Sequence, residues 1–432
     1  MAKVDFKQGL PIRQTPNMGG SQSVDTTFDV VVVGAGVAGL LSAVRLSKQY
    51  KVLVLEQRAR LGGRARVADF CGAKVLVGAG VLRAHKDKLM QGLLKEFGVK
   101  YETTSVASKP NLGELYNELC AAKPSEHETF EAFGRRVLAK RFNVFVQQMG
   151  FTDMLQASAV ETMRCYGLED NICAYKAVKF DWNVLVAELA RKAMLQGATI
   201  LTNHKAVKLS PIGRRNSTNP NPSQNIGSQD KTKPGIQLRV ISGATSRPTF
   251  VCARKVVIAS TKACIKALLP QSTCFEHLHA QPFIRVYAQM DAQSSLQVAA
   301  KINNFKVVPN CLMKISKVAS PGNDVFMVGY ADNQAAEALK AILDAPESRT
   351  ELAKLVCQAL NLPSINILDV RAFYHKEGTH YYDEQADLNN TAQYMPLPNV
   401  YVVGEAVSHN QGWTEGAVKT VNLVVNNILS SY

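Results

Sequence analysis

The stretch from Phe28 to Glu56, FDVVVVGAGVAGLLSAVRLSKQYKVLVLE, constrains the fold more than any other part of the chain. Val30 to Val33 form an uninterrupted β-branched run, too short for a helix and apolar on both faces, which suits a central parallel strand. Gly34, Ala35, Gly36, Val37, Ala38 and Gly39 follow with GxGxxG spacing. The first glycine permits a tight turn, the second lets a pyrophosphate approach the backbone, and the third allows close helix packing. Leu40, Leu41, Val44 and Leu46 give the next segment an apolar helical face, and its N-terminal amides would meet a phosphate with a favourable dipole. Val52 to Leu55 make a second strand. Glu56 ends it at the distance from the glycines at which a carboxylate accepts hydrogen bonds from an adenosine ribose and disfavours a 2′-phosphate. A glycine-rich turn alone also serves plain structural connections. Strand, turn, helix, strand and acid in this order point to a dinucleotide site, without choosing NAD over FAD.

With 432 residues, 46% of them hydrophobic, the chain can bury a large core, and its length suits two or three structural units. No apolar run approaches the roughly 20 residues that span a bilayer, and Met1 to Thr27 lack the apolar stretch of a secretory signal, so a soluble intracellular protein is expected. The nine cysteines are odd in number and scattered, with no CxxC pair, which favours free buried thiols over zinc ligands. A formal charge of +15 would attract phosphates, nucleic acid or other anionic surfaces over long range. The basic clusters Arg135, Arg136, Lys140, Arg141 and Lys205, Lys208, Arg214, Arg215 lack interleaved aromatics, which favours solvated faces over base stacking.

Residues 1–27 are rich in Pro, Gly and polar residues without periodicity, and a poorly ordered lead-in is expected. After Glu56, Gly62 and Gly63 allow close backbone approach to a ligand, and Arg64 can supply charge-assisted contacts to phosphate. AKVLVGAGVL then sets Gly78 and Gly80 in an apolar segment suited to a flat ligand. From Asp87 to about Gly197 the periodicity predicts mainly helix, in KLMQGLLKEFG, in ETFEAFGRRVLAKRFNVFVQQMG and in LVAELARKAMLQG, the last with Gly197 as its C-cap. ATILTN, the segment around Ala206 to Leu209, GIQLRVIS, TFVCARKVVIAS and FIRVYAQM read as strands, with an exposed polar excursion over 212–234. Two helices are expected at Gln334–Leu343 and Arg349–Leu360. ILDVRAFY reads as a strand leading into HKEGTHYYDE, and NVYVVGEA as a buried strand before a terminal helix that GWTEGAVKTVNLVVNNIL begins.

GAGVAGL with Glu56, LGGRAR, VGAGVL and VVGEAVSHNQGWTEGA together resemble the flavin-containing amine oxidase family, which includes monoamine, polyamine and L-amino-acid oxidases. The resemblance implies an α/β fold in which a Rossmann-type FAD-binding domain is joined to a second, mixed α+β substrate domain. The first would be discontinuous, from 28–86, 195–268 and 395–432, and the second would take 87–194 and 269–394. At matching positions Gly34, Gly36 and Gly39 would hold the pyrophosphate with Ala35, Val37 and Ala38, Glu56 the adenosine ribose, and Arg64 the phosphate region. Gln57, Arg58, Gly63 and Val81 complete these cofactor-contacting stretches, and Gly78, Ala79 and Gly80 would lie beside the isoalloxazine. Ala206 or Val207 would offer backbone to the adenine. Gly404 and Glu405 would meet the ribityl or pyrophosphate segment. Thr414 to Ala417 would set the start of the last helix against the flavin N1/O2 edge, where its partial positive charge stabilises an anionic reduced ring. Trp413 would form one wall before the flavin face and Tyr381, Tyr382 or His380 the other, although a packed aromatic core accounts for the same cluster.

Two departures from the family stand in the sequence. Many members carry a lysine that holds a water near flavin N5, and the matching strand FIRVYAQM offers Arg285. A planar guanidinium does not imitate a compact ammonium holding one water, so oxygen activation by that route does not carry over. GTHYY has no cysteine where monoamine oxidases make their covalent link, and noncovalent FAD is expected. The expected activity is an FAD-dependent oxidation of a small amine or amino acid with dioxygen as acceptor. The alternatives are a flavin desaturase or porphyrinogen-type oxidase on a large apolar substrate, and a weakly active flavoprotein with a basic binding surface.

Overall fold

Because Val30 to Val33 are apolar on both faces, they can lie only in the middle of a sheet covered on both sides, and that is where they lie. In a computed structural model that describes residues 27–106, 112–212, 235–243, 248–318, 324–387, 389 and 391–430, β1 (Thr27–Val33) pairs in parallel with β2 (Val52–Leu55) and with Pro248–Ile258. The expected lead-in before Thr27 and the polar excursion after Ile212 lie outside the described residues. The seven-stranded sheet runs Thr199–Leu201, β2, β1, Pro248–Ile258, Ile236–Ser242, His204–Pro211, and Val400–Val402 also pairs with Pro248–Ile258. Only the pairs made by Ile236–Ser242 are antiparallel.

Helix α1 (Val37–Leu46) connects β1 to β2 and buries nearly every side chain. The turn before it needs its glycines. Gly34 has φ +104°, and a Cβ on Gly39 would lie 1.9 Å from the Gly34 carbonyl oxygen. Helices Trp182–Leu195 and Thr414–Ser430 pack against α1, and Gly197 turns left-handed (φ +93°) just past the end of the former, as its position predicts. Met90, Leu93 and Leu94 of the helix Lys88–Glu96, with Trp182, Leu185 and Leu189, join the core around β1, although their positions fall in the span expected for the second unit.

The second sheet has five antiparallel strands in the order Phe305–Val307, Lys314–Lys317, Val325–Asp332, Leu278–Met290, Ile367–Tyr382. ILDVRAFY does not end where its apolar pattern ends. The strand continues through HKEGTHYY, since Tyr382, Tyr381 and His380 pair with Leu278, His279 and Ala280. Pro282, which has no N–H to give, falls at a break in this ladder, where the register passes from Gln281–Thr379 to Phe283–His375. Lys376, Glu377 and Gly378 bulge there, and a Cβ on Gly378 would lie 2.2 Å from that of Phe283. Leu82–Arg83, Tyr175–Lys179 and Glu102–Val106 form a small sheet inside the region expected to be mainly helical.

The long helical pattern from Glu128 to Gly150 is two helices, Phe130–Leu138 and Arg141–Met149, reversed at Ala139 (φ +51°). Folding back lets Phe130, Phe133, Phe142 and Phe145 share one core, which a single straight helix would have strung out in a line. The arms meet so closely that a Cβ on Gly134 would sit 2.0 Å from the Phe142 ring. Among the described residues no helix is long and apolar enough to cross a membrane. Gly134→Ala should cost about 1–3 kcal/mol by overpacking, read as a lower urea midpoint with an unchanged slope. An unchanged midpoint would mean that the two helices can separate at no cost.

Candidate active site

The glycine turn leaves room for a ligand at one point. Nothing lies within 4 Å of a Cβ built on Gly36, the residue that precedes the first turn of α1, and neither a capping side chain nor an acidic residue occupies that helix start. A phosphate fits this open N-terminus, where amides and dipole both favour an anion. Glu56 is buried beside it, its Oε2 accepting from Ala35 N at 2.9 Å and its Oε1 from Arg58 N at 2.9 Å. Gly63 (φ +58°) approaches Gly36 to within 3.7 Å of a built Cβ. Gln57 and Arg58 are exposed, and Val37 and Ala38 are buried in the turn. Val207 is the extra residue of a β-bulge, skipped between the pairs Lys208–Arg239 and Ala206–Val240, so its backbone is the one spared from the ladder.

Glu405 ties the far end of the chain to this turn. Its Oε1 accepts from His380 N at 3.0 Å and from Gly412 N at 2.8 Å. Its Oε2 meets His380 Nδ1 at 2.8 Å and Arg64 Nη2 at 2.9 Å. Arg64 Nη1 donates to the Gly378 carbonyl at 2.7 Å, so the bulge of the second sheet and the glycine loop of the first share one guanidinium. Gly404 (φ +121°) receives its own anchor from Thr420 Oγ1, which accepts from its N–H at 2.8 Å.

Arg285 is buried, and its Nε donates to the Gly78 carbonyl at 3.1 Å. Its guanidinium carbon lies 4.1 Å from the centre of the Tyr330 ring. Among the described residues no carboxylate pairs with it. A Cβ on Gly80 would lie 3.4 Å from Arg285 Nη2, and the Gly80 carbonyl accepts from Trp182 Nε1 at 2.9 Å. Ala79 N bonds to the Arg64 carbonyl at 3.0 Å, and Val81 is half-buried. Gly78, Ala79 and Gly80 therefore form a held loop facing Arg285.

Trp413 donates through Nε1 to the Tyr166 carbonyl at 2.9 Å. Its indole lies 3.5 Å from the guanidinium of Arg83, itself buried between Asp87 (2.7 Å) and Asp170 (2.9 Å). Thr414 opens the last helix, Ala417 is buried in it, and Glu415 reaches across to cap Lys88–Glu96 through Leu89 N (3.0 Å) and Met90 N (2.9 Å).

Beside Glu405 and His380 lies a small cleft, partly open to solvent. Tyr381, Tyr382 and His380 line it with Gln281, Thr379, Asp153, Glu161, Thr162 and Tyr166, whereas Trp413 does not. Sequence reasoning missed Arg83, Asp153, Glu161 and Tyr166, and no motif marks them. The signal nearest to one was Gly150 ending a helix just before Asp153. Burial, with Asp332 beside it, pushes Asp153 up to about 7, and the Tyr166 hydroxyl donates to its Oδ1 at 2.5 Å.

Residues 32–97 match the family described as NAD(P)-binding Rossmann-like domain. Pseudooxynicotine dehydrogenase of Pseudomonas sp is 32% identical over 108 residues, 25% of this chain and 22% of that protein. A protein described as a flavin-containing monoamine oxidase, AofH, of Mycobacterium tuberculosis is 40% identical over 74 residues, 17% of this chain and 16% of its own length. Lysine-specific histone demethylase 1 homolog 1 of Arabidopsis thaliana is 31% identical over 180 residues, 39% of this chain and 20% of that protein. The chain thus spans about a fifth of the length of these curated relatives. A solved putrescine oxidase variant superposes with a TM-score of 0.68 at 14% identity, over 94% of this chain and 99% of the other. The chain has the fold of that putrescine oxidase, and part of its length is similar in sequence to an amine oxidase and a histone demethylase homolog. The open cradle at Gly36, the buried carboxylate of Glu56 and the held loop Gly78–Gly80 have the room and the chemistry to fit a flavin dinucleotide.

Burial alone would raise the Glu405 carboxyl, but Arg64 and then His380 overcome it and hold it far below its ordinary 4.5. The stability it contributes is complete above about pH 4.5 and is lost as pH falls further. The thermal midpoint should therefore drop more steeply on acidification below about pH 5 than it does in Glu405→Gln. Parallel curves would show that this carboxylate does not stabilise the fold.

Proposed function

We propose that the chain is an FAD-dependent oxidase acting on a small amine or amino acid. When bound, the flavin takes a hydride from the carbon bearing a neutral amine and returns the electrons to dioxygen, giving an imine that hydrolyses, and hydrogen peroxide. In this reading Gly34 to Gly39 and Glu56 hold the nucleotide half and Arg64 serves the phosphate region. Gly78 to Gly80 and Thr414 to Ala417 face the ring, and Ala206 or Val207 offers backbone to the adenine. Tyr381 and His380 stand on the substrate side. The observation that carries the reading is the open Gly36 cradle, joined through the Arg64–Glu405 pair to a cleft with tyrosine walls. The relatives' own descriptions, a flavin-containing monoamine oxidase and a pseudooxynicotine dehydrogenase among them, support it.

Anaerobic mixing of the yellow protein with a panel of amines, polyamines and amino acids should bleach the flavin with at least one. Bleaching by none would overturn the reading. Acid precipitation should leave the flavin in the supernatant, because the cofactor is held without a covalent link; a yellow pellet would contradict that. Arg285, held over the Tyr330 ring at 4.1 Å, favours slow return of electrons to dioxygen. Arg285→Lys should speed reoxidation of the reduced protein by about tenfold, or about 1.4 kcal/mol of barrier. An unchanged rate would put oxygen activation elsewhere.

A further inference from the structure

Asp153 differs from the other carboxylates around the cleft in what surrounds its charge. Glu161 is paired with Arg164, and Glu405 with Arg64 and His380, whereas the strongest charge acting on Asp153 is a second carboxylate, Asp332. Asp153 is half-buried and lines the cleft, so a molecule in the cleft can reach it. Its place is fixed on three sides. The Tyr166 hydroxyl donates to its Oδ1 at 2.5 Å, Gln281 Nε2 to its carbonyl at 2.7 Å, and its own N–H donates to Asp332 Oδ2 at 3.2 Å.

The two carboxylates are not equivalent. Asp332 is 1% exposed and accepts from Thr152 N at 2.9 Å, from Asp153 N and from the Thr152 hydroxyl. Burial raises both carboxyls, but hydrogen bonds to the charged form favour it, and the capped turn at Thr152 and Asp153 spends these three donors on Asp332. The proton that the pair keeps near neutral pH therefore rests on Asp153, which is pushed up to about 7. Two acidic groups whose surroundings drive them apart in this way are the pattern of an acid–base site. The other titratable groups around Asp153 are Tyr166 on the widened turn Thr162–Tyr166 and Tyr330 on the strand Val325–Asp332. Lys314 lies beside the Phe151 and Tyr330 rings at 5.1 and 5.9 Å, and Glu161, His380 and His409 lie along the cleft. Tyr330 feels both Asp153 and Arg285, so one ring joins this carboxyl to the arginine that holds Gly78.

We propose that Asp153 is the proton acceptor of the cleft, taking a proton from an ammonium substrate to leave the neutral amine that can be oxidised, with Asp332 as the charge that positions and tunes it. The inference rests on the amine-oxidising reading. Alkylammonium ions titrate near 10, so the amine arrives charged at neutral pH. One N–H bond breaks, its electron pair stays on nitrogen, and the proton forms an O–H bond at Asp153 Oδ2, since Oδ1 already accepts from Tyr166. A cation and an anion become two neutral groups, which the cleft tolerates better than separated charges.

The rate of anaerobic flavin bleaching, measured against pH with n-butylamine, benzylamine and 1,4-diaminobutane, tests it. In the parent chain the rate should rise as pH passes about 7. Asp153→Asn should slow bleaching about 100-fold near neutral pH, and the loss should shrink as pH approaches about 10, where the amine is neutral without help. Asp332→Asn removes the neighbouring charge and should move the rise to lower pH. Tyr166→Phe removes the hydrogen bond that favours the ionised form and should move it to higher pH. These opposite shifts carry the test if Asp153→Asn fails to fold, as its thermal midpoint would show. A readout without turnover is the infrared difference spectrum on adding tert-butylamine, which has no hydrogen on the carbon bearing the amine. At about pH 8, where Asp153 is ionised, a protonated-carboxyl band should appear in the flavin-loaded parent chain and not in Asp153→Asn. Bleaching with a pH profile unchanged in folded Asp153→Asn, a loss equal at every pH, or no such band overturns Asp153 as acceptor and leaves the oxidase reading standing. Bleaching by no amine in the parent chain overturns that reading and the acceptor with it.

Discussion

The buried carboxylate of Glu405 is the interaction on which the arrangement of the site depends. It engages His380 on the long strand of the second sheet, Gly412 ahead of the terminal helix and Arg64 in the glycine loop after β2. A charge this buried is tolerated only when its partners are fixed, and removing one of them strands the rest. Arg64 comes from the opposite end of the sequence, so one side chain sets the distance between the nucleotide cradle and the cleft.

Arg83 does similar work on the other side. Its guanidinium is held by two aspartates and lies flat under Trp413, whose indole N–H is spent on the Tyr166 carbonyl. The indole has no freedom left to tilt, and Tyr166 in turn reaches Asp153. Trp413, Tyr166 and the acidic wall of the cleft thus form one connected set. The long helical pattern that broke at Ala139 contributes to the same end, because Asp153 follows the second arm directly and its neighbour Thr152 is fastened to Asp332 in the second sheet at 2.9 Å.

The sequence made the nucleotide half legible because its requirements are local. GAGVAG must turn tightly, and each glycine answers a contact within a few residues or on an adjoining strand: Gly39 against Gly34, Gly34 against Ala259. Glu56 follows β2 at a fixed distance for the same reason. The strand through HKEGTHYY was not legible, since it is held by pairing with Leu278–Gln281 and by the contact of buried His380 with Glu405, neither of which leaves a period in the sequence. The walls of the cleft were equally silent. Asp153, Glu161 and Thr162 lie in short turns whose side-chain direction is set by what packs around them.

The sequence by itself determined the βαβ unit, the acid that follows it and the glycines at Gly78 and Gly80, because backbone conformation and alternation of apolar residues specify these within a short window. It also determined that Arg285 would stand in a strand. Only the tertiary structure decided what that arginine faces, which histidine Glu405 takes, and that Trp413 rests on Arg83 instead of lining the cleft. Those outcomes depend on contacts between residues from about 25 to more than 300 positions apart, where burial makes one pairing far better than its alternatives and no local pattern can record the choice.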